Sequence, residues 1–149
     1  MKFILPRVPL FSWQMRTAGN VFFGEYMKYY TEDHEWVEVN GDEATIGISE
    51  YAADELGEVS YVELPDEEDA FIIGDRLGEV ESEKTTGDIY SPISGTVSAV
   101  NEALADDPGL INESPEDKGW ICKLVDIDSS ELDDMMDEET YQRYIATLS

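Results

Sequence analysis

Short apolar segments separated by turn residues run from Tyr29 to Val125, and this spacing leaves little room for long helices. Residues 36–39 lead into Asn40-Gly41, a dipeptide typical of type I′ hairpin turns, and the residues that follow alternate between apolar and polar. Many short strands at such intervals predict a mainly β fold, a small barrel or sandwich. Further strand patterns lie at residues 44–48, 59–64, 77–82, 97–100 and 120–125, and another strand opens near Ile89.

Short helices are expected beside these strands. Ser49 can cap a helix that Gly57 ends. Near the C-terminus, Ser129 and Ser130 can cap one helix, and a second helical pattern follows it. Apolar stripes on such helices are more often packing faces than partner grooves. We therefore expect C-terminal helices, at about 129–149, that cover the barrel.

The charge and the residue inventory exclude several classes of function. The net charge is −26, from 35 acids against 9 bases, and such a field repels nucleic acids and anionic membranes. Docking onto electropositive protein surfaces is compatible with it. Cys122 and His34 are the single cysteine and histidine, so no internal disulfide, hydrolase triad or multi-histidine metal site can form. The alternating residues around Cys122 predict a buried thiol on a strand.

The first 24 residues differ abruptly from the rest. They contain Lys2, Arg7 and Arg16 and no acid, so all the acids lie in residues 25–149. A basic, acid-free and partly apolar segment is typical of an organelle-targeting leader. A cloning artefact and an unstructured arm are the alternatives. We predict a leader at 1–24 and one folded domain at 25–149.

A single lysine stands between two predicted strands. Lys84 follows residues 77–82 and is followed by the turn residues of Thr85-Thr86-Gly87. A hairpin tip exposes one side chain and holds its backbone still, which suits a site of covalent modification. The simpler interpretation is a surface lysine with a weak ion pair to Glu83 or Asp88.

The surroundings of this lysine favour modification. Residues 81–84 read Glu-Ser-x-Lys, Asp88 follows, and residues 91–95 read Ser-Pro-x-Ser-Gly. This segment resembles the lipoylation segment of glycine cleavage H proteins, and the resemblance covers nearly everything from Tyr29 to the C-terminus. The other ordered blocks that match are His34-Glu35-Trp36-Val37, Ala44–Ile48, Leu56-Gly57-Glu58, Val62–Pro65, Val100–Leu104, Leu110-Ile111-Asn112, Ser114-Pro115 and Gly119-Trp120.

The resemblance implies a flattened hammerhead barrel of the lipoyl/biotinyl carrier type, with lipoic acid joined as an amide to Lys84. Such a protein is a carrier and not an enzyme. It takes the aminomethyl group of glycine from a pyridoxal-phosphate glycine decarboxylase (P protein) to a tetrahydrofolate-dependent aminomethyltransferase (T protein). Dihydrolipoyl dehydrogenase (L protein) reoxidises the dithiol, and a lipoylating enzyme attaches the cofactor. A mitochondrial matrix location follows if residues 1–24 are a transit peptide, and otherwise a cytoplasmic one.

The resemblance also implies that Glu35 and Asp88 contact the amine of the carried group. A charged amine between carboxylates in a cleft is shielded from water. Two positions depart from the family pattern. Glu83 replaces a small apolar residue beside the lysine, and Glu55 stands where some relatives have histidine.

Three related functions compete with this interpretation. A biotin carrier normally has Met-Lys-Met, and here the lysine is flanked by Glu83 and Thr85. A lipoyl domain of a 2-oxo acid dehydrogenase usually has Asp-Lys-Ala in a longer chain. An H-like protein that relays lipoate to other proteins needs the same lysine and barrel, so the sequence leaves that alternative open.

Overall fold

A computed structural model describes residues 27–148, so the acid-free leader of residues 1–24 lies outside the described residues. The described elements, numbered in chain order, are β1 (Met27–Tyr30), β2 (Glu35–Asn40), β3 (Glu43–Ile48), α1 (Glu50–Leu56), β4 (Val59–Glu63), β5 (Ala70–Phe71), β6 (Arg76–Ser82), β7 (Thr86–Tyr90), β8 (Gly95–Val100), α2 (Ala103–Asp106), α3 (Leu110–Glu113), β9 (Cys122–Val125), a 3₁₀ helix (Ser129–Asp134) and α4 (Glu138–Ala146).

The strands form two antiparallel sheets around one apolar core. The larger sheet has the order β1-β2-β3-β9-β8-β5, and the smaller sheet has the order β4-β6-β7. Both sheets contribute alternate side chains to the core, as strands with one buried face do. The mainly β fold with short helices is therefore confirmed. Fully buried core residues include Val37, Ile46, Val80, Ile89, Val97 and Leu124.

The predicted first hairpin forms, with its turn one residue later than expected. Strands β2 and β3 pair as far as Asn40 opposite Glu43, so the two-residue loop is Gly41-Asp42. Gly41 has a φ of +66°, and neither Asn40 nor Asp42 has a positive φ. A positive φ at the first loop position alone is the pattern of a type II′ turn, so the predicted type I′ turn at Asn40-Gly41 is wrong.

The short helices begin and end partly as predicted. Ser49 caps α1 by accepting a hydrogen bond from the backbone of Ala52, and Gly57 ends that helix. The 3₁₀ helix is capped by Asp128, whose carboxylate accepts from the backbone N–H of Ser130. Since an Asp oxygen caps at least as well as a Ser oxygen, the residue before the two serines takes the cap. The C-terminal helix α4 then packs on β1 through Tyr141.

The thiol of Cys122 is buried at the start of β9, as predicted, and burial raises its pKa to about 12. No helix within residues 27–148 is long and apolar enough to cross a membrane. Over the same residues, no group of three or more His, Cys, Asp or Glu side chains is arranged to hold a metal ion.

Candidate functional site

Lys84 lies at the tip of the hairpin that joins β6 to β7. Strand β6 ends at Ser82 and β7 begins at Thr86, so Lys84 is the middle residue of a three-residue loop. Its side chain is exposed. The two strands pair on either side, from Arg76 opposite Tyr90 onward to the tip. The predicted placement of the lysine on a hairpin tip is confirmed.

Ser82 holds the backbone of this tip. Its backbone N–H donates to the carbonyl of Thr85 at 2.8 Å. Its hydroxyl accepts from the N–H groups of Lys84 and Thr85, both at 3.2 Å, and donates to the carbonyl of Thr85 at 3.1 Å. Ser82, two residues before the lysine, therefore has a structural role that the sequence pattern did not reveal. It fixes the main chain of the tip while the lysine side chain remains exposed.

Gly57, at the end of α1, lies under the Lys84 side chain. A Cβ added to Gly57 would stand 2.7 Å from Lys84 Cε and 3.6 Å from its Nζ. Gly57 has a φ of +78°, a conformation that residues with a Cβ rarely adopt. Glycine at this position therefore ends the helix and also gives the lysine side chain a surface to lie on.

The loop beneath the lysine is clamped by Asn112, on α3. Its Nδ2 donates to the carbonyl of Gly57 at 2.7 Å, and its Oδ1 accepts from the N–H of Val59 at 2.9 Å. Between these two residues, the carbonyl of Glu58 accepts from the N–H of Glu83 at 3.2 Å. The hairpin tip is thus tied to the rest of the domain at the residue next to the lysine.

Asp88 is paired with Arg76 and not with Lys84. Arg76 Nε donates to Asp88 Oδ1 at 3.0 Å, and its Nη2 lies 3.1 Å from a carboxylate oxygen of Glu63 and 3.3 Å from one of Glu79. The hydrogen bonds that Arg76 donates to Glu63 and then to Asp88 raise its pKa. Lys84 makes no ion pair with any residue of 27–148. The ion pair of Lys84 with Glu83 or Asp88, which the simpler interpretation required, does not form.

Glu35, at the start of β2, is a buried carboxylate. Its exposed fraction is 3%. Thr31 Oγ1 donates to Oε1 at 2.6 Å, and the N–H of Tyr90 donates to Oε2 at 3.4 Å. Burial raises the pKa of Glu35 to about 7; the bond from Thr31 opposes this shift, and the nearby charge of Asp33 adds to it.

Tyr90 connects the two carboxylates that the resemblance implied. Its backbone N–H donates to Glu35, and its hydroxyl donates to Asp88 Oδ2 at 3.5 Å. Glu35 therefore lies near the end of β7 away from Lys84, and Asp88 stands in the middle of that strand. They differ in setting, since Glu35 is buried and Asp88 is exposed beside a cation.

Several residues of this site were not found by sequence reasoning. Gly57 and Asn112 lie in blocks that carry the resemblance, but nothing in those blocks indicates that Gly57 lies under the lysine or that Asn112 holds the loop there. Thr31 and Arg76 belong to none of the sequence blocks that carry the resemblance. The two departures from the family pattern, Glu55 and Glu83, are both exposed. The residues that strand pairing and loop closure bring to the site are therefore Thr31, Gly57, Arg76, Ser82 and Asn112.

Comparison with known proteins agrees with this geometry. The sequence profile described as "Glycine cleavage H-protein" matches residues 28–148. The chain is 48% identical over 117 residues to the putative mitochondrial glycine cleavage system H protein of Schizosaccharomyces pombe, covering 78% of this chain and 69% of the relative. It is 47% identical over 116 residues to the glycine cleavage system H protein of Staphylococcus carnosus, covering 78% of this chain and 92% of that relative.

A solved structure shows the same fold. The crystal structure of the glycine cleavage system H protein from Mycobacterium marinum superposes with a TM-score of 0.73 at 30% identity, over 84% of this chain and 99% of that one. Because the profile match spans the whole described domain and the relatives share nearly half of their residues with it, this chain belongs to the glycine cleavage H-protein family.

Proposed function

We propose that Lys84 is the residue that carries lipoic acid in this protein, and that Glu35 and Asp88 hold the amine of its cargo. Members of the family are carriers of the glycine cleavage system, without catalytic activity of their own, and bear lipoic acid on a lysine. The observation that supports Lys84 most directly is its exposed position on a hairpin tip with a fixed backbone.

The other lysines of residues 27–148 fit the cofactor less well. Lys28 donates to the carbonyl of Glu116 at 2.9 Å and lies 4.5 Å from the centre of the Trp36 ring. Lys123 lies within β9 and is not at a strand end that projects into solvent. Lys118 is exposed, but no hairpin presents it. A modifying enzyme needs a lysine that protrudes from the surface, and Lys84 meets that need.

When bound, lipoic acid supplies the disulfide that takes up a carbon unit and two electrons. The protein determines where the far end of the arm can rest. An extended chain spans at most about 3.6 Å per residue, so Asp88, four residues on, lies within about 14 Å of Lys84. A lysine stem plus a lipoyl chain reaches roughly 14 Å by ordinary bond lengths. Asp88 is therefore within the arm's range.

Glu35 and Asp88 suit a cationic amine. Glu35 lies in a buried setting with hydrogen-bond donors but no cation among the described residues as its partner. A cation that enters favours the charged form of a carboxyl whose pKa burial has raised to about 7. Asp88 already holds the Arg76 guanidinium, so an amine there adds to that ion pair or replaces it.

The partners follow from the carrier role. Three enzymes must meet the arm: the glycine decarboxylase, the folate-dependent aminomethyltransferase and dihydrolipoyl dehydrogenase. A lipoylating enzyme must reach Lys84 first. The strongly negative charge of the chain favours docking onto electropositive surfaces of these enzymes. The acid-free leader and the mitochondrial relative in fission yeast both support a mitochondrial location.

Attachment is tested by lipoylating the protein and its Lys84→Arg variant and measuring intact mass and peptide masses. We expect one lipoyl group per chain, on Lys84, and none on the variant. Lys118→Arg and Lys123→Arg are matched controls that should accept the group as the native chain does. Lipoate on Lys118 or Lys123, or a modified Lys84→Arg chain, would contradict the assignment.

The contact with cargo is tested separately. Glu35→Gln and Asp88→Asn keep size and remove charge, so both should accept lipoate normally. A charged hydrogen bond is worth about 1.5–3 kcal/mol at most, and less where water enters, so the carried amine should be lost several-fold faster. The measurement is the time course of spontaneous ammonia or formaldehyde release after the decarboxylase is removed. Unchanged lifetimes in both variants would mean that these acids are ordinary acidic residues.

A further inference from the structure

We propose that Thr31 is a positioning residue for Glu35: its hydroxyl fixes Oε1 of the carboxylate and leaves Oε2 as the oxygen that meets a cationic amine. This inference rests on the proposed contact between Glu35 and the carried amine. It concerns a residue that no motif singles out, and it assigns different roles to the two oxygens of one side chain.

The geometry comes from the turn that joins β1 to β2. The N–H of Thr31 donates to the carbonyl of Glu35 at 3.0 Å, and the N–H of His34 donates to the carbonyl of Thr31 at 3.1 Å. His34 has a φ of +71°, so the loop closes tightly. This closure places the Thr31 side chain beside the backbone and the carboxylate of Glu35.

The direction of the hydrogen bonds is set by donor count. Thr31 Oγ1 accepts from the backbone N–H of Glu35 at 3.2 Å. A backbone N–H can only donate, so the hydroxyl is the acceptor in that bond and keeps its single proton for another partner. That proton points to Glu35 Oε1, 2.6 Å away. Oε1 therefore accepts this short hydrogen bond, which favours Oε2 as the oxygen that carries a proton bound by the carboxyl.

Oε2 has capacity for a second donor. The N–H of Tyr90 donates to it at 3.4 Å, which is long for such a bond, and it accepts no other hydrogen bond from residues 27–148. A carboxylate oxygen can accept two hydrogen bonds. The free lone pair of Oε2 therefore suits the N–H of an ammonium.

The charges around Glu35 agree with this role. Asp33, in the same turn, is negative and disfavours the ionised carboxylate. On the β7 side lies Tyr90, whose hydroxyl donates to Asp88, and Asp88 is already paired with Arg76. No cation of the described domain forms an ion pair with Glu35. A bound ammonium would supply the positive charge that the site lacks.

The first test uses protein without lipoate. Thr31→Val keeps the shape of the side chain and removes the hydroxyl, whereas Thr31→Ser keeps the hydroxyl. Carbon NMR follows the titration of the Glu35 carboxyl, with Glu35→Gln to assign the signal. In the native chain we expect the pKa of Glu35 near 7. Thr31→Val should raise it by about half to one pH unit, since one hydrogen bond to the charged form is lost, and Thr31→Ser should restore the native value.

The second test uses the lipoylated and loaded protein. Thr31→Val should lose the carried amine several-fold faster, and Thr31→Ser should retain it as the native chain does. A Thr31→Val titration that matches the native one would overturn the positioning role. If the titration shifts but amine release is unchanged in Thr31→Val and also in Glu35→Gln, Thr31 still orders Glu35, and the proposed contact with the amine is wrong.

Discussion

Gly57 lies directly beneath Lys84, so close that a methyl group on its Cα would stand 2.7 Å from Lys84 Cε. The backbone conformation requires glycine here, and an added Cβ would also displace the mobile end of the Lys84 side chain. The backbone has φ +78° and ψ −156°, a region that essentially only glycine occupies without strain. The space above it is filled by the side chain that we propose to carry the cofactor.

We predict that Gly57→Ala destabilises the fold by about 1–3 kcal/mol, the usual cost of such backbone strain, and also slows lipoylation. Urea unfolding and lipoylation rates at limiting acceptor concentration measure the two effects. Gly87→Ala is the matched control. It lies in the same hairpin without a positive φ, and its Cβ would make an ordinary contact at 3.5 Å with Leu56. A Gly57→Ala chain that is lipoylated at the native rate would show that the lysine does not need this surface.

Local signals predicted most of the fold. Alternation of apolar residues is a property of each strand alone, and the cap at Ser49 with the stop at Gly57 involves neighbours in sequence. The errors arose where two local signals compete. Asn40-Gly41 is a strong turn dipeptide, but the paired strands set the turn one residue later. Asp128 took the cap that was expected of Ser129 or Ser130.

The site was predictable only where a contiguous motif exists. Lys84 could be proposed because the residues that mark it as a candidate adjoin it in sequence. Arg76 meets Asp88 across strand pairing, twelve residues apart, and Asn112 reaches Gly57 across fifty-five. Contacts at such separations depend on register and loop closure, which no short pattern in a single sequence specifies.

We predict that Ser82→Ala loosens the hairpin tip without unfolding the domain. Three hydrogen bonds of the Ser82 hydroxyl are lost, at a cost of about 1–2 kcal/mol because the loop is exposed. The amides of Lys84 and Thr85 should exchange with solvent faster, as hydrogen-exchange NMR can measure. Ser60→Ala removes a single hydroxyl bond, to the carbonyl of Glu81, and serves as the control. Equal exchange rates in both variants would contradict a special role for Ser82.

Arg76 bridges three carboxylates, Glu63, Glu79 and Asp88, on the outer face of the smaller sheet. We predict that Arg76→Gln lowers the Tm at low salt, because three like charges then face one another. At about 1 M salt, where the Debye length is about 3 Å, most of the loss should disappear. Thermal unfolding across a salt series measures this. Arg143→Gln, which removes an exposed pair with Glu139, should change the Tm little at any salt. A loss that salt does not reduce would point to packing and not to charge.

Tyr141 joins the C-terminal helix to the barrel through its hydroxyl. That oxygen lies 2.8 Å from His34 Nδ1 and 2.6 Å from Ser49 Oγ, and the residue is 1% exposed. We predict that Tyr141→Phe destabilises the fold by about 1–3 kcal/mol, since buried polar partners lose a hydrogen bond. Tyr144→Phe loses only a 3.5 Å contact with the carbonyl of Glu32, and its effect should stay within about 0.5 kcal/mol. Equal effects in urea unfolding would mean that the ring, and not the hydroxyl, holds α4.

Glu35 should make the stability of the fold depend on pH in an unusual direction. Its pKa is raised from 4.5 to about 7 in the folded chain, mainly by burial. Between these two values the folded chain binds more protons at Glu35 than the unfolded chain does. The free energy of unfolding therefore falls as pH rises through this window, by up to about 3 kcal/mol for the full shift. A paired surface carboxylate would contribute the opposite slope.

The measurement compares the native chain with Glu35→Gln by urea unfolding at intervals from pH 5 to pH 8. Glutamine resembles the protonated carboxyl and does not titrate, so the other groups, His34 among them, contribute nearly equally to both proteins and cancel in the difference. We expect the native chain to lose stability relative to the variant as pH rises towards 7, with most of the loss complete by pH 8. Parallel curves would show that Glu35 titrates near its ordinary value. Its carboxylate would then be charged at neutral pH before any amine arrives, and cargo binding would release no proton.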